Sequence, residues 1–206
     1  MTKRADRIVQ TIIEEFTNIE TMEKILHEDI FHSLGGAKED EEINEIAARA
    51  LLRATFAYIE AMVYCLKSMA LRLSAFDIGK FTPAEKAILA ENAYELDDKG
   101  RVKTQVKYIP LLKNIRFAFD AGGRALALQH KLDVGNTRWE SFQKALAIRN
   151  RITHPKTVAD LHISEKDSKY LEDGLEWFVD NLTAFRSEFW RRVDFIVEKK
   201  NKTADS

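Results

Sequence analysis

Apolar residues recur three and four positions apart through most of this chain, the period of an amphipathic helix. Ile8, Ile12, Phe16, Ile19, Leu26 and Ile30 trace one stripe, which predicts a helix over about 5–32 stopped by Gly35-Gly36. A second helix is predicted over about 39–74, very apolar beyond Ile46. Thr82-Pro83-Ala84-Glu85 supplies an N-cap, a first-turn proline and a capping-box glutamate, so a third helix should run from there to about Leu96. Asp97-Asp98-Lys99-Gly100 reads as a turn. The stretch 101–136 is the least legible: Pro110 opens a helix to about Phe119, and Gly122-Gly123 breaks it. A helix over about 137–153 follows, then a Ser164/Asp167 cap and a last helix to about Lys199. No strand alternation or internal repeat competes, so the expected fold class is all-α. The expected organisation is a single domain over 1–206 with a loose C-terminal tail at 201–206.

The last helix carries Leu171, Leu175, Phe178, Leu182, Phe185, Phe189, Val193 and Ile196 along one seam. At about 54 Å it is longer than a small domain is wide, so part of the seam is expected to pack on a partner subunit or an inserted helix pair. In the second helix Arg53, Glu60 and Lys67 fall seven residues apart on one narrow stripe, which reads as the solvent-facing side of a core helix. Trp139, Trp177 and Trp190 sit among apolar neighbours and are expected in the core or an interface.

Charge alters this picture only locally. The formal net charge is −1, so nothing pulls the whole molecule toward nucleic acid. Over 138–156, however, Arg138, Lys144, Arg149, Arg151 and Lys156 face a single acid, Glu140. Cys65 is the only cysteine, which excludes disulfides within the chain and fits a reducing, cytoplasmic setting. The first residues do not read as a signal peptide, and no span is apolar enough to suggest a membrane. His27, His32 and His162 have no metal-ligand spacing with a carboxylate, so no metal or other cofactor is expected.

The candidate chemistry lies in Ala147-Ile148-Arg149-Asn150-Arg151-Ile152-Thr153-His154-Pro155. A residue before proline is pushed out of the α region, so the helix should end at His154. The negative end of the helix dipole favours an imidazolium there, poised to take or give a proton near neutrality. Arg149 offers a planar fork for phosphate oxygens, and Asn150 adds a neutral donor and acceptor. Five residues of helix set Arg149 and His154 about 140° apart, so they converge only through the long arginine side chain or through a second copy of the site. A looser pair, Arg124 and His130, lacks both the polar residue after the arginine and the helix stop, and reads as a decoy.

The stretch from Trp139 to Pro155 resembles the motif helix of HEPN domains, small α-helical domains marked by arginine, a polar residue, and a histidine often followed by proline. Arg149, Asn150, His154 and Pro155 match that pattern. The resemblance extends more loosely to the helix over 47–75 and to the last helix. It implies an HEPN-like helical bundle acting as a metal-independent endoribonuclease, a homodimer with facing motifs, in a toxin–antitoxin, phage-defence or RNA-processing role. A cognate antitoxin or regulatory protein would be a further partner. By this resemblance Arg149, Asn150 and His154 are catalytic, and Glu60 is an acid brought near them from the second helix. Arg151 and Lys156 are assigned to flanking phosphates of RNA. The alternative is a non-catalytic HEPN-like module that binds RNA or nucleotide, or serves as a scaffold.

Overall fold

The structure is a computed structural model that describes residues 3–35 and 41–204, with side chains described for 3–4, 6–30, 45–191 and 193. In chain order the elements are α1 (Lys3–Gly35), α2 (Glu41–Ser74), α3 (Pro83–Leu89), β1 (Asn92–Leu96), β2 (Val102–Val106), α4 (Leu111–Leu126), α5 (Thr137–Thr153) and α6 (Glu165–Ala204). A 3-10 turn at Val158–Leu161 joins the last two helices. The fold is mostly helical, as the periodicity indicates, and the two strands form one antiparallel hairpin. Gly36, Glu39 and the side chain of His32 lie outside the described residues. The tail expected at 201–206 overlaps the last turn of α6, and Asp205 and Ser206 also lie outside the described residues.

α1 packs along α2 in the opposite direction. Glu15 meets Arg72, Met22 meets Cys65, and Glu23 meets Tyr58, in descending order along α2. α5 and α6 form a second antiparallel pair, tied by Arg138 to Glu176 and Asp180 at one end and by Arg151 to Asp167 at the other. The apolar stripes meet in one aromatic core. Phe16 of α1 stacks on Phe189 of α6 at 4.1 Å, Phe119 of α4 meets Phe178 and Phe185 edge-on, and Phe56 of α2 lies 5.9 Å from Phe142 of α5. Each such side chain, buried from water, contributes about 1.5–3 kcal/mol.

The seam of α6 packs within its own chain. Leu171, Phe178, Leu182, Phe185 and Phe189 are all buried in this core, so α6 as far as Phe189 does not leave a free apolar stripe for a partner. Ile196 lies outside the described side chains. Of the tryptophans, Trp139 and Trp177 are buried against Phe142, whereas Trp190 remains 44% exposed.

Three local expectations are corrected. The third helix stops at Leu89, and Asn92-Ala93-Tyr94-Glu95-Leu96 is a strand. The capping box at Thr82 forms as expected, but Glu91 adopts a left-handed φ of 54° and turns the chain into β1. Asp97-Asp98-Lys99-Gly100 makes the hairpin turn, with Asp97 Oδ1 accepting the backbone N–H of Lys99 and Arg101 and Gly100 at φ 71°. Second, Gly122-Gly123 does not break α4. Its penalty, about 1 kcal/mol per glycine, is outweighed by close packing, since a Cβ at Gly122 would lie 3.1 Å from Phe185. Third, Lys67 is not on a solvent stripe: it is fully buried and bonded to Glu91, while Arg53 and Glu60 are exposed.

Candidate functional site

Residues at the end of α5 and the middle of α2 build the candidate site. Asn136 caps α5 by accepting the Trp139 N–H at 2.8 Å. Gly174 then lets α6 approach closely: a Cβ there would lie 2.8 Å from the Phe142 Cα. These contacts fix the helix that carries Arg149. At its far end His154 is the C-cap, with φ −127° and ψ 60°, and its backbone N–H reaches the Asn150 carbonyl at 3.0 Å. Its side chain is exposed. Thr153 Oγ1 donates back to the Arg149 carbonyl at 2.7 Å, the i−4 bond of a helical threonine.

Arg149 is held by two partners. Nη2 donates to Glu60 Oε1 at 2.7 Å and Nη1 to Asn150 Oδ1 at 3.2 Å. The structure therefore brings Glu60, Arg149 and Asn150 together. Among the described residues no hydrogen bond links Arg149 to His154, which as a non-helical C-cap leaves the ideal turn of α5.

The positive patch read from the sequence is largely offset by acids from other helices. Arg138 is bound to Glu176 and Asp180, Arg149 to Glu60, and Arg151 to Asp167 at 3.1 Å. Lys144 lies over the Tyr170 ring at 4.6 Å. The Lys156 side chain is exposed, and its backbone N–H donates to Asp160 Oδ2. That bond and the one from Thr157, with the hydroxyl of Thr157 and the nearby Arg151, hold the Asp160 carboxyl below the usual range. The acids sit outside the 138–156 window, which is why counting within it overstated the field.

Sequence reasoning did not assign four further polar residues, Glu45, Arg49, Arg53 and His162, to this region. His162 Nδ1 lies 2.7 Å from Glu45 Oε1, and Arg49 donates to the same carboxylate and to the Leu161 carbonyl. His162 and Arg49 together hold the Glu45 carboxyl below its ordinary value. Arg53 lies between Arg49 and Glu60 on α2, at spacings of four and seven residues that keep all three on one face. It is exposed, about two helical turns from Glu60 on that face. The seven-residue spacing of Arg53 and Glu60 was visible in the sequence and was read only as a solvent-facing stripe.

The decoy pair is structural. Arg124 binds Glu85 and Asp120 and covers the Phe81 ring, while His130 is half-buried among Phe119 and Phe185, which lowers its pKa. Behind the motif, an apolar cavity of about 540 Å³ is walled by Leu52, Thr55, Ile148, Ile163, Leu171 and Leu175; Arg149, Asn150 and His154 do not line it. Among the described residues no cluster of histidine, cysteine and carboxylate side chains could hold a metal ion, and no helix is long and apolar enough to cross a membrane. No family model matches the chain, and neither a curated protein nor a solved structure matches it.

Proposed function

We propose that this protein is a metal-independent endoribonuclease of HEPN type that works as a homodimer in the cytoplasm, in a toxin, phage-defence or RNA-processing role. The observation that carries the reading is the exposed His154 at the C-terminus of α5, five residues beyond an arginine whose guanidinium is oriented by Glu60 and Asn150. His154 takes the proton from a ribose 2′-hydroxyl as that oxygen attacks the adjacent phosphorus. The P–O5′ bond breaks, and the leaving oxygen takes a proton from the imidazolium of a second His154 or from the same ring. The products are a 2′,3′-cyclic phosphate and a 5′-hydroxyl. Arg149 stabilises the charge that builds on the phosphate oxygens, Asn150 orients it, and Arg151 and Lys156 hold flanking phosphates. Glu60 aligns Arg149 and competes with phosphate for it.

The separation of Arg149 and His154 in one chain is why a second copy is part of the proposal. Mixing two inactive variants, Arg149→Ala and His154→Ala, tests it. Mixed dimers regain one intact site if Arg149 of one subunit serves His154 of the other. Recovery no greater than the sum of the two parents would remove the composite site.

A non-catalytic binding module or scaffold is the second reading, favoured by the acids that already occupy Arg149 and Arg151. Such a module would hold RNA, or a regulatory protein such as an antitoxin, without cleaving it.

A further inference from the structure

The hairpin carries a face that the rest of the fold leaves uncovered. In a two-stranded ribbon paired residues share a side and successive residues alternate. The register sets Tyr94 opposite Thr104, Leu96 opposite Val102 and Asn92 opposite Val106, which gathers Tyr94, Leu96, Val102, Thr104 and Val106 on one side. Glu95, Lys103, Gln105 and Ala93 take the other. The apolar side would ordinarily lie on the core, yet it stands in solvent. Tyr94 is 58% exposed, Leu96 71%, Val102 69%, Val106 85% and nearby Tyr108 83%. Other large exposed apolar residues, such as Ile13, Ile25 and Tyr64, are scattered over the helices.

The ribbon is anchored so that it projects. Lys67, fully buried in α2, bonds Glu91 Oε1 at 2.5 Å, and the Glu91 carbonyl accepts the Lys107 N–H at 2.6 Å. One ion pair, its lysine buried and its carboxylate partly exposed, thus fixes the root of both strands, while every residue from Tyr94 to Thr104 is exposed. A two-stranded ribbon alone in water is marginal, and an apolar patch of this size is rare on a monomer.

We propose that this ribbon face is where two copies of the chain associate, face against face across a twofold axis. Five side chains at these exposures present on the order of 600 Å² per copy, so two copies bury about 1,200 Å², the lower end of a stable specific interface. Charge speaks against a polyanion or an anionic lipid surface: over 91–108, Glu91, Glu95, Asp97 and Asp98 balance Lys99, Arg101, Lys103 and Lys107. The sequence of β2 is also self-complementary. Its apolar side, Val102-Thr104-Val106, is the same in both directions, so a twofold axis crossing at Thr104 lays valine on valine. The inference takes from the nuclease reading only its need for a second copy, which the buried seam of α6 does not meet.

Sedimentation of the full chain across the micromolar range, without RNA, tests the interface. The parent should be a dimer. The double variant Val102→Lys/Val106→Lys should be a monomer with an unchanged circular dichroism spectrum and a melt that no longer depends on concentration, whereas Ile13→Lys on α1 should remain dimeric. A monomeric parent, including one that instead binds phosphatidylcholine vesicles, overturns the proposal, as does a double variant that still dimerises. Should the double variant fail to fold, cysteine mapping decides: Thr104→Cys should cross-link two copies under mild oxidation faster than Lys103→Cys on the opposite side, and equal or reversed rates overturn it. Cleavage of RNA by the same samples is a separate readout. Loss of the dimer with cleavage retained would remove the composite active site and leave this interface standing.

Discussion

Arg149 and Glu60, 89 residues apart in sequence, are joined by a 2.7 Å hydrogen bond between the end of α5 and the middle of α2. Both side chains keep contact with water, at 25% and 46% exposure, so the pair contributes only about 0–1 kcal/mol to stability. Its consequence is for binding. While Glu60 holds the guanidinium, a phosphate must compete with a carboxylate for it. Glu60→Gln should therefore strengthen binding of inorganic phosphate or a short RNA by up to about fivefold, the equivalent of such a surface pair, with little change in the melting temperature. Titration calorimetry reads the first and a thermal melt the second. Weaker phosphate binding by Glu60→Gln would show that the carboxylate positions Arg149 without competing for it.

The bundle and its motif helix were legible because their signals are local. The expected span of about 137–153 and the His154-Pro155 stop match α5 at its observed limits, and the three-and-four spacing of α6 marks the residues that fill the core. The hairpin was missed for a physical reason. The Thr82–Glu85 cap is a strong helix start, and nothing before Glu91 announces a residue that will turn left-handed. The alternation Val102, Thr104, Val106, Tyr108 against Lys103, Gln105, Lys107 was nonetheless present in the sequence. The partners of the arginines were not legible in any local window. Glu60, Asp167, Glu176 and Asp180 become neighbours only once α2 and α6 pack on α5.

Two glycines separate packing from helix propensity. At Gly174 a Cβ would meet the Phe142 backbone at 2.8 Å, and backbone cannot swing aside, so α5 and α6 must part. Gly174→Ala should cost about 1–3 kcal/mol, the overpacking outweighing the alanine's better helix propensity. Gly123 has nothing within 4 Å of the same position, and Gly123→Ala should stabilise by up to about 1 kcal/mol. Chemical denaturation of both variants checks the pair. Equal effects at the two sites would mean that α5 and α6 are not as close as the structure places them.

Glu85 gives the acid limb of stability a molecular origin. The Thr82 backbone N–H, then Arg124 and the Thr82 hydroxyl, hold its carboxyl down to about 2. Because the folded state binds its proton less readily than the unfolded chain, this contribution is fully present above the ordinary carboxylate value of 4.5 and is lost as pH falls toward 2. Arg124→Ala should flatten that part of the stability curve by lowering stability above the ordinary carboxylate value, and should change it least near pH 2, where the contribution is already lost. Melting temperatures measured between those limits decide it, and an unchanged slope would remove Glu85 as a contributor.

The central claim, that His154 and Arg149 cleave RNA without a metal, is tested most directly by the ends of the RNA that purified protein produces in the presence of a chelator. Mass spectrometry should find 2′,3′-cyclic phosphate and 5′-hydroxyl ends in EDTA. His154→Ala should slow their formation by a factor on the order of 10² or more without lowering the melting temperature, since the ring is exposed at a helix end. Cleavage that requires magnesium, or that His154→Ala performs as well as the parent, would contradict the account.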